Sequence, residues 1–421
     1  MLFLGYKVTN YFSISRGVQL QKLEKNYLCI VKLYFFNYSH DAALACAPIF
    51  YNPSGVVASL EYDLMSLATF CAGREDTVAV NPRVLDICRA FYSRLPIPEV
   101  QFEPTDRLPG LFVEPWGWDV SLLMRLQKGM KDVTPPSEFP SPAQLETFHH
   151  LSSRRSAVTC LHLLRESLPK EPLCGESYYC TTESEIRTAL NKCNGDAVLK
   201  APFSGSGRGL RLVRWGCSAR LENWCRNLLE HQGGVEVEPL YNKIFDLAVE
   251  FSLSPDGAVY QGLSLFRTSE HGAYVGGLVA SQSLLMRKIE SEGMAEAYEQ
   301  TMEALQSILP RLFPLPFLSC LGVDMMLCRQ HQTGEIMLHP CVEINVRRTM
   351  GHLALSLASL VAPGKEAVFN IHYEVRASDL RDFATALSKP VLNESGKLYK
   401  GALLLAPVTE ETHYLAWLEI R

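Results

Sequence analysis

From Val31 onward the chain sorts into short apolar runs and segments whose apolar residues return about every 3.6 positions, whereas the stretch before it sustains neither pattern. Ser13, Ser15, Arg16, Lys22, Glu24 and Lys25 interrupt the opening residues, so 1–30 is expected to be a poorly ordered appendage that adds little to the fold. A start codon placed too early would account for it, with Val31 as the true first position. The run Val31-Lys32-Leu33-Tyr34-Phe35-Phe36-Asn37 predicts a first strand. A helical stretch over 59–73, the strand TVAV at 77–80 and a helix over 82–95 follow, the β-α-β order of a small parallel sheet. The Pro-rich segment 133–144 reads as a linker, and a helix is expected around 153–168.

Beyond it, the apolar run AVL ends at Lys200 before a glycine-rich stretch, and alternation resumes at Leu210, Leu212 and Val213. Residues 233–257 predict a strand, a short connection and a second strand closing on the turn Ser254-Pro255-Asp256-Gly257. A helix ended by Pro314 and Pro316 precedes two more strands, LGVDMML at 321–327 and VEINVRR at 342–348, and the tail carries one helix and two strand-like runs. The expected division is 1–30, an N-terminal α/β domain at 31–135, a linker, helix and small lobe at 136–235, a large lobe at 236–372, and a tail packing on it at 373–421.

Two of these segments carry chemistry. In 342–348, Val342, Ile344 and Val346 face one way and Glu343, Asn345 and Arg347 the other, with same-face neighbours roughly 6.5 to 7 Å apart. A hairpin would bring Asp324 beside Glu343 and Asn345. Three oxygen ligands without a thiol favour magnesium over zinc. The plainer reading is a strand with a solvated outer face; a zinc site through His339 and Cys341 is disfavoured because an extended row is too spread for a tetrahedral ion. In the second segment, Ser204-Gly205-Ser206-Gly207-Arg208-Gly209 lets backbone N–H groups gather around an anion while Lys200 and Arg208 add positive charge, which suits a triphosphate. The lysine precedes the glycines and a strand follows them, so this is neither a Walker loop nor a dinucleotide fingerprint. A flexible hairpin turn is the alternative.

Taken in order, a strand-Lys-glycine loop, then E-x-E-P, then Asp on one strand and E-x-N-x-R on the next resembles the ATP-grasp superfamily, over roughly residues 150 to 355. The resemblance implies an ATP-grasp fold, with two α+β lobes sandwiching ATP behind the small α/β domain. It implies that Lys200 contacts the α-phosphate and base side, and that the loop 204–209 folds over the β- and γ-phosphates. Glu236, Val237, Glu238 and Leu240 fall at the hinge that reads adenine. Asp324, Glu343 and Asn345 match the magnesium triad, for two ions with Mn²⁺ able to substitute, and Arg347 faces the phosphates or the acyl intermediate. Arg154 and Arg155 sit where another phosphate-side cation is found; Arg155 is taken as the nucleotide contact, although which of the two points inward is open. The position two before Asp324 is Gly322, where some members carry a catalytic arginine. Arg267 or Lys243 is the candidate replacement, against a solvated-loop reading for Arg267 and His271.

Composition adds limits. A chain of 421 residues with 47% hydrophobic content buries a large core, and a net charge of −5 argues against a nucleic-acid partner. Thirteen cysteines, odd in number and free of C-x-x-C, suit a reduced cytoplasm, and no run reaches the roughly 20 apolar residues of a membrane span. In the first domain His40 and Asp41 follow the first strand, where open α/β sheets bind ligands; Asp41 equally suits a helix cap. The ATP-grasp resemblance implies a ligase that activates a small-molecule carboxylate with ATP for attack by an amine or peptide amine, or by a thiol. A nucleotide-binding regulatory protein without turnover and a phosphotransferase are the alternatives.

Overall fold

The computed structural model describes residues 31–135, 139–194, 196–205, 209–214, 218–269, 274–330 and 333–421. The expectations for 1–30, for Ser206, Gly207 and Arg208 of the glycine loop, and for His271 lie outside them. The chain is mixed α/β, built on three main sheets.

The first sheet holds β1 (Lys32–Phe35), β2 (Thr77–Val80), β3 (Gln101–Pro104) and β4 (Phe112–Pro115), parallel in the order β3-β2-β1-β4. Its helices are α1 (His40–Cys46), α2 (Gly55–Leu64), α3 (Leu85–Tyr92) and α4 (Val120–Gly129), and the strands are mostly apolar because both faces are covered. After the linker come α5 (Pro142–Leu151), opened by a Ser141–Gln144 capping box, and α6 (Arg154–Ser167), capped by Ser153. Ala157, Cys160, Leu161 and Leu164 form the buried stripe of α6 and join the largest core cluster.

The small lobe carries β5 (Tyr178–Cys180), α7 (Glu183–Lys192), β6 (Asp196–Lys200), β7 (Leu210–Arg214), α8 (Ala219–Gln232) and β8 (Val235–Pro239), in the antiparallel sheet β5-β8-β6-β7. The glycine-rich segment joins β6 to β7 and leads into a strand, as its pattern indicated. The expected boundary at 235 falls inside β8. Val235 and Val237 fill the small-lobe core while the intervening glutamates do not, so the strand belongs wholly to that lobe.

The large lobe holds β9 (Lys243–Ser254), β10 (Gly257–Thr268), β11 (Tyr274–Val279), α9 (Gln282–Ser291), α10 (Ala295–Leu312), β12 (Cys320–Arg329), β13 (Ile336–Asn345), α11 (Met350–Leu357), β14 (Ala367–Tyr373), α12 (Ala377–Ala386), β15 (Val391–Leu392), β16 (Leu398–Lys400), β17 (Ala402–Leu404) and β18 (Tyr414–Ile420). Its eight-stranded sheet runs β13-β12-β9-β10-β11-β14-β18-β17. The C-terminal segment is therefore part of the sheet rather than a tail packed on it. Leu415 and Trp417 cover α12 on one face of β18 while Ala416 and Leu418 enter the core on the other, and a strand apolar on both faces is stable only inside a sheet.

Candidate functional site

A cavity of about 1060 Å³ opens between the small-lobe sheet, the large sheet and the N-terminal domain, and the β12–β13 hairpin forms part of its wall. Asp324 lies directly opposite Glu343 and Gly322 opposite Asn345, so the hairpin brings Asp324 beside both. Asp324, Glu343 and Asn345 all line the cavity, and Asn345 hydrogen-bonds to the Asp324 carboxylate. Burial, with Glu343 and Glu250 adding negative charge, pushes the Asp324 carboxyl well above its ordinary range. A divalent cation between Asp324 and Glu343 would relieve that repulsion, so the residues fit one. No group of three or more His, Cys, Asp or Glu side chains among the described residues could hold a metal. The protein therefore offers two carboxylates and an amide, leaving the remaining positions to water and phosphate oxygens as Mg²⁺ prefers.

The row does not continue in either direction. One residue of β12 between Asp324 and Met326 faces three of β13 between His339 and Glu343, a bulge at Pro340, which has no N–H to give the ladder. It takes the Cys341 thiol to the Ala157 carbonyl, 3.6 Å away, and leaves His339 against the Tyr241 ring. Past Asn345 the strand ends, since Arg347 N–H turns back to the Asn345 carbonyl at 2.7 Å and Arg348 N–H reaches the Trp116 carbonyl at 2.8 Å. From that bend the Arg347 guanidinium grips Asp41 through two bonds of 2.8 Å. Asp41 thus caps no helix: Arg347 holds its carboxyl below the ordinary range despite burial, and Ser204 and Gly205 line the cavity beside it.

Lys200 closes β6 and is buried. Its ammonium lies 2.7 Å from Glu238, 3.5 Å from Glu236 and 3.2 Å from the Val342 carbonyl. Burial works against its charge, yet the two glutamates hold its pKa above the ordinary lysine value, while burial takes Glu238 up to about 7. Arg154 completes the cluster, 2.9 Å from Glu343 and 3.7 Å from Glu236, and donates to the Ala201 carbonyl at 3.0 Å. It links the metal-type strand to the small lobe.

Four sequence expectations change. Arg154, not Arg155, points into the cleft; the guanidinium of Arg155 lies 4.5 Å over the exposed side of Tyr179, because Ser153 caps α6 with the apolar stripe on the Arg154 side. The Val237 side chain faces the small-lobe core, and Leu240 lines the cavity with its N–H taken by the Asp196 carbonyl at 3.0 Å. Glu236 and Glu238 anchor cations. Arg267 is exposed on the face of β10 opposite Phe266 and Thr268, which line the cavity, whereas Lys243 lines it, tied to Asp246 at 2.5 Å and Thr268 at 2.9 Å. Gly209 packs against Ser204 and Ala201 and serves the hairpin's closure.

Glu250 was not foreseen. It is fully buried on β9, 2.9 Å from His352 Nδ1, and accepts bonds from Thr349 at 2.8 Å and Ser264 at 3.2 Å. A Cβ at Gly322 would come within 2.5 Å of its carboxylate and 2.8 Å of Thr349 Cγ2, so a larger residue there would have to displace them. The signal was a lone carboxylate in the otherwise uncharged run LAVEFSL.

No protein-family model matches the chain, and no sequence relative is found among curated proteins. Similar solved structures include N5-carboxyaminoimidazole synthetase from Staphylococcus aureus complexed with ADP, at 13% identity and TM-score 0.44 over 92% of each chain. N5-carboxyaminoimidazole ribonucleotide synthetase from Thermus thermophilus is similar at 15% identity and TM-score 0.43, over 93% of this chain and 94% of that one. Biotin carboxylase from Campylobacter jejuni, in a β-γ-ATP complex, is similar at 10% identity and TM-score 0.47, over 93% and 87%. In this chain a lysine-bearing lobe faces a carboxylate-bearing one across a cavity, behind a small parallel α/β sheet.

Proposed function

We propose that this chain is an ATP- and magnesium-dependent ligase of ATP-grasp type that activates a substrate carboxylate for attack by an amine, or by a thiol. The observation that carries the reading is the convergence of Lys200, Asp324, Glu343, Asn345 and Arg347, drawn from both lobes, on one cavity. Magnesium held by Asp324, Glu343 and Asn345 would supply charge neutralisation at the phosphate oxygens. Lys200, fixed in place by Glu236 and Glu238, presents a desolvated positive charge at the small-lobe side, and Ser204 and Gly205 border the same space.

Arg347 orients the reacting anions: its planar fork, now on Asp41, matches a carboxylate or phosphate equally well. The substrate carboxylate oxygen bonds to the γ-phosphorus as the bond to the bridging oxygen breaks and ADP leaves. The amine then bonds to the acyl carbon, loses a proton, and phosphate departs with the former carboxylate oxygen.

A second reading, a nucleotide-binding protein without turnover, draws on one observation: Lys200 and Arg347 are both already paired with protein carboxylates. Incubation with Mg-ATP and panels of carboxylates and amines separates the two. The ligase reading expects ADP release that needs both partners. Release without an amine would indicate a phosphotransferase, and tight binding without release the regulatory protein.

A further inference from the structure

The cavity has two halves of different chemistry. From the small lobe and from β9, β12 and β13 its wall takes Lys200, Glu238, Lys243, Asp246, Asp324 and Glu343. From the other end of the large sheet, from α11 and from the N-terminal domain apart from Asp41, it takes Tyr38, Trp116, Tyr274, Ile371, Tyr373 and Tyr414, with Met350 and Ala354 between them. Among the described residues the charged side chains bordering this second half are Asp41, paired with Arg347, and Glu250, which Ser264 and Thr349 bind. The separation is spatial as well as chemical: β12 and β14 are four neighbours apart in the sheet, roughly 19 Å at the usual strand spacing.

The aromatic wall is a product of register. Ile371 pairs with Ala416 and Tyr373 with Tyr414 across β14 and β18, so alternate residues of both strands face the same side, and the Tyr373 and Tyr414 rings lie 4.8 Å apart. Further back on that face Phe369 and Leu418 are covered by core; at Ile371 and Tyr373 the cover ends and the cavity begins. Trp116 is held by an edge contact with Phe36 at 4.5 Å and by its carbonyl bond from Arg348, so the facing wall is fixed too. A cavity of about 1060 Å³ stands at the top of the roughly 300 to 1,000 Å³ range of ligand pockets.

We infer that the substrate sharing this cavity with the nucleotide has an uncharged aromatic or bulky apolar body, seated between the N-terminal domain and the β14–β18 pair, with its reacting polar group directed at the charged half. Desolvating a second charged group against this wall would cost more than the wall returns, whereas a ring gains by burial and by edge contacts with the tyrosines. Glu250 and Ser264 mark the boundary. This rests on the ligase reading for the identity of the charged half.

The test is calorimetric titration of the full chain, with and without Mg²⁺ and a non-hydrolysable ATP analogue, using 3-phenylpropionate and 2-phenylethylamine against succinate and putrescine. The inference expects an aromatic probe to bind at least about ten-fold more tightly than its charged-bodied counterpart. Ile371→Asp should abolish that preference while leaving nucleotide affinity within about two-fold. Should that variant fail to fold, Tyr373→Ala at the half-exposed rim is expected to weaken aromatic binding several-fold. Preference for succinate or putrescine, absence of binding by any probe, or indifference to both variants overturns the inference. Aromatic binding without nucleotide binding would uphold the aromatic subsite and sink the ligase reading; nucleotide binding with a charged-probe preference would do the reverse.

Discussion

Two of the ion-pair assemblies that border the cleft are built differently. At the small lobe, Lys200 and Arg154 share Glu236, Glu238 and Glu343, and apart from Glu343 the side chains are at most 6% exposed. On the N-terminal side, Arg347 and Asp41 form a two-residue fork with exposures of 16% and 23%. The first is a buried network in which each charge depends on several others, so removing one leaves uncompensated charge in a low dielectric. The second is a single link between sequence segments 306 residues apart, partly open to the cavity, where either partner is within reach of a ligand. The comparison separates a cation that is part of the scaffold from one available to substrate.

The largest expected effect is in the buried network. Lys200→Ala should lower stability by about 3 kcal/mol, moderated because Glu238 takes up a proton readily, and should also abolish measurable nucleotide affinity. Urea denaturation checks the first part; a loss under about 1 kcal/mol would mean the network is not a unit. Asp41→Asn should cost only about 1 kcal/mol by the same assay, because a partly exposed pair is screened by water. A cost as large as that of Lys200→Ala would erase the distinction between the two assemblies.

Between the two adjacent arginines the contrast sharpens further. Arg154→Ala should reduce ATP turnover severely by releasing Glu343, whereas Arg155→Ala, losing a surface contact with Tyr179, should change stability by less than about 0.5 kcal/mol and leave turnover unaffected. Equal effects would mean that the inward orientation of Arg154 is wrong. The smallest effect is in pH. The folded-state pKa of Asp41 is depressed by Arg347, so its contribution is present above the ordinary aspartate value near 3.8 and is lost as pH falls through the lower folded value. Asp41→Asn should therefore flatten the acid limb of stability below about pH 4 and leave the neutral region parallel to wild type. An unchanged acid limb would place the pair's energy elsewhere.

What the sequence made legible was local. Period-two alternation was enough to set the faces of the two strands and so to bring Asp324 beside Glu343 and Asn345, whereas the exact pairing depends on the bulge at Pro340. The lysine before the glycines and the strand after them were equally readable. Illegible were the features fixed at long range. Nothing in Asn37-Tyr38-Ser39-His40-Asp41 announces Arg347 as a partner, and Ser153 settles which of two consecutive arginines turns inward only once the apolar stripe of α6 has found its core. The strands β17 and β18 looked like a tail for the same reason: alternation shows a strand but not its neighbour. Gly322 read as a missing arginine, and its closeness to Glu250 and Thr349 was not readable.

The central claim, that Asp324, Glu343 and Asn345 hold magnesium for a nucleotide bound between the lobes, is tested most directly by titrating ATP into wild type and Glu343→Gln with Mg²⁺ or EDTA present. The account predicts that wild type binds ATP with magnesium and loses about 10²-fold in affinity without it, while Glu343→Gln binds weakly and gains little from the metal. ATP affinity that ignores both magnesium and the substitution would contradict it.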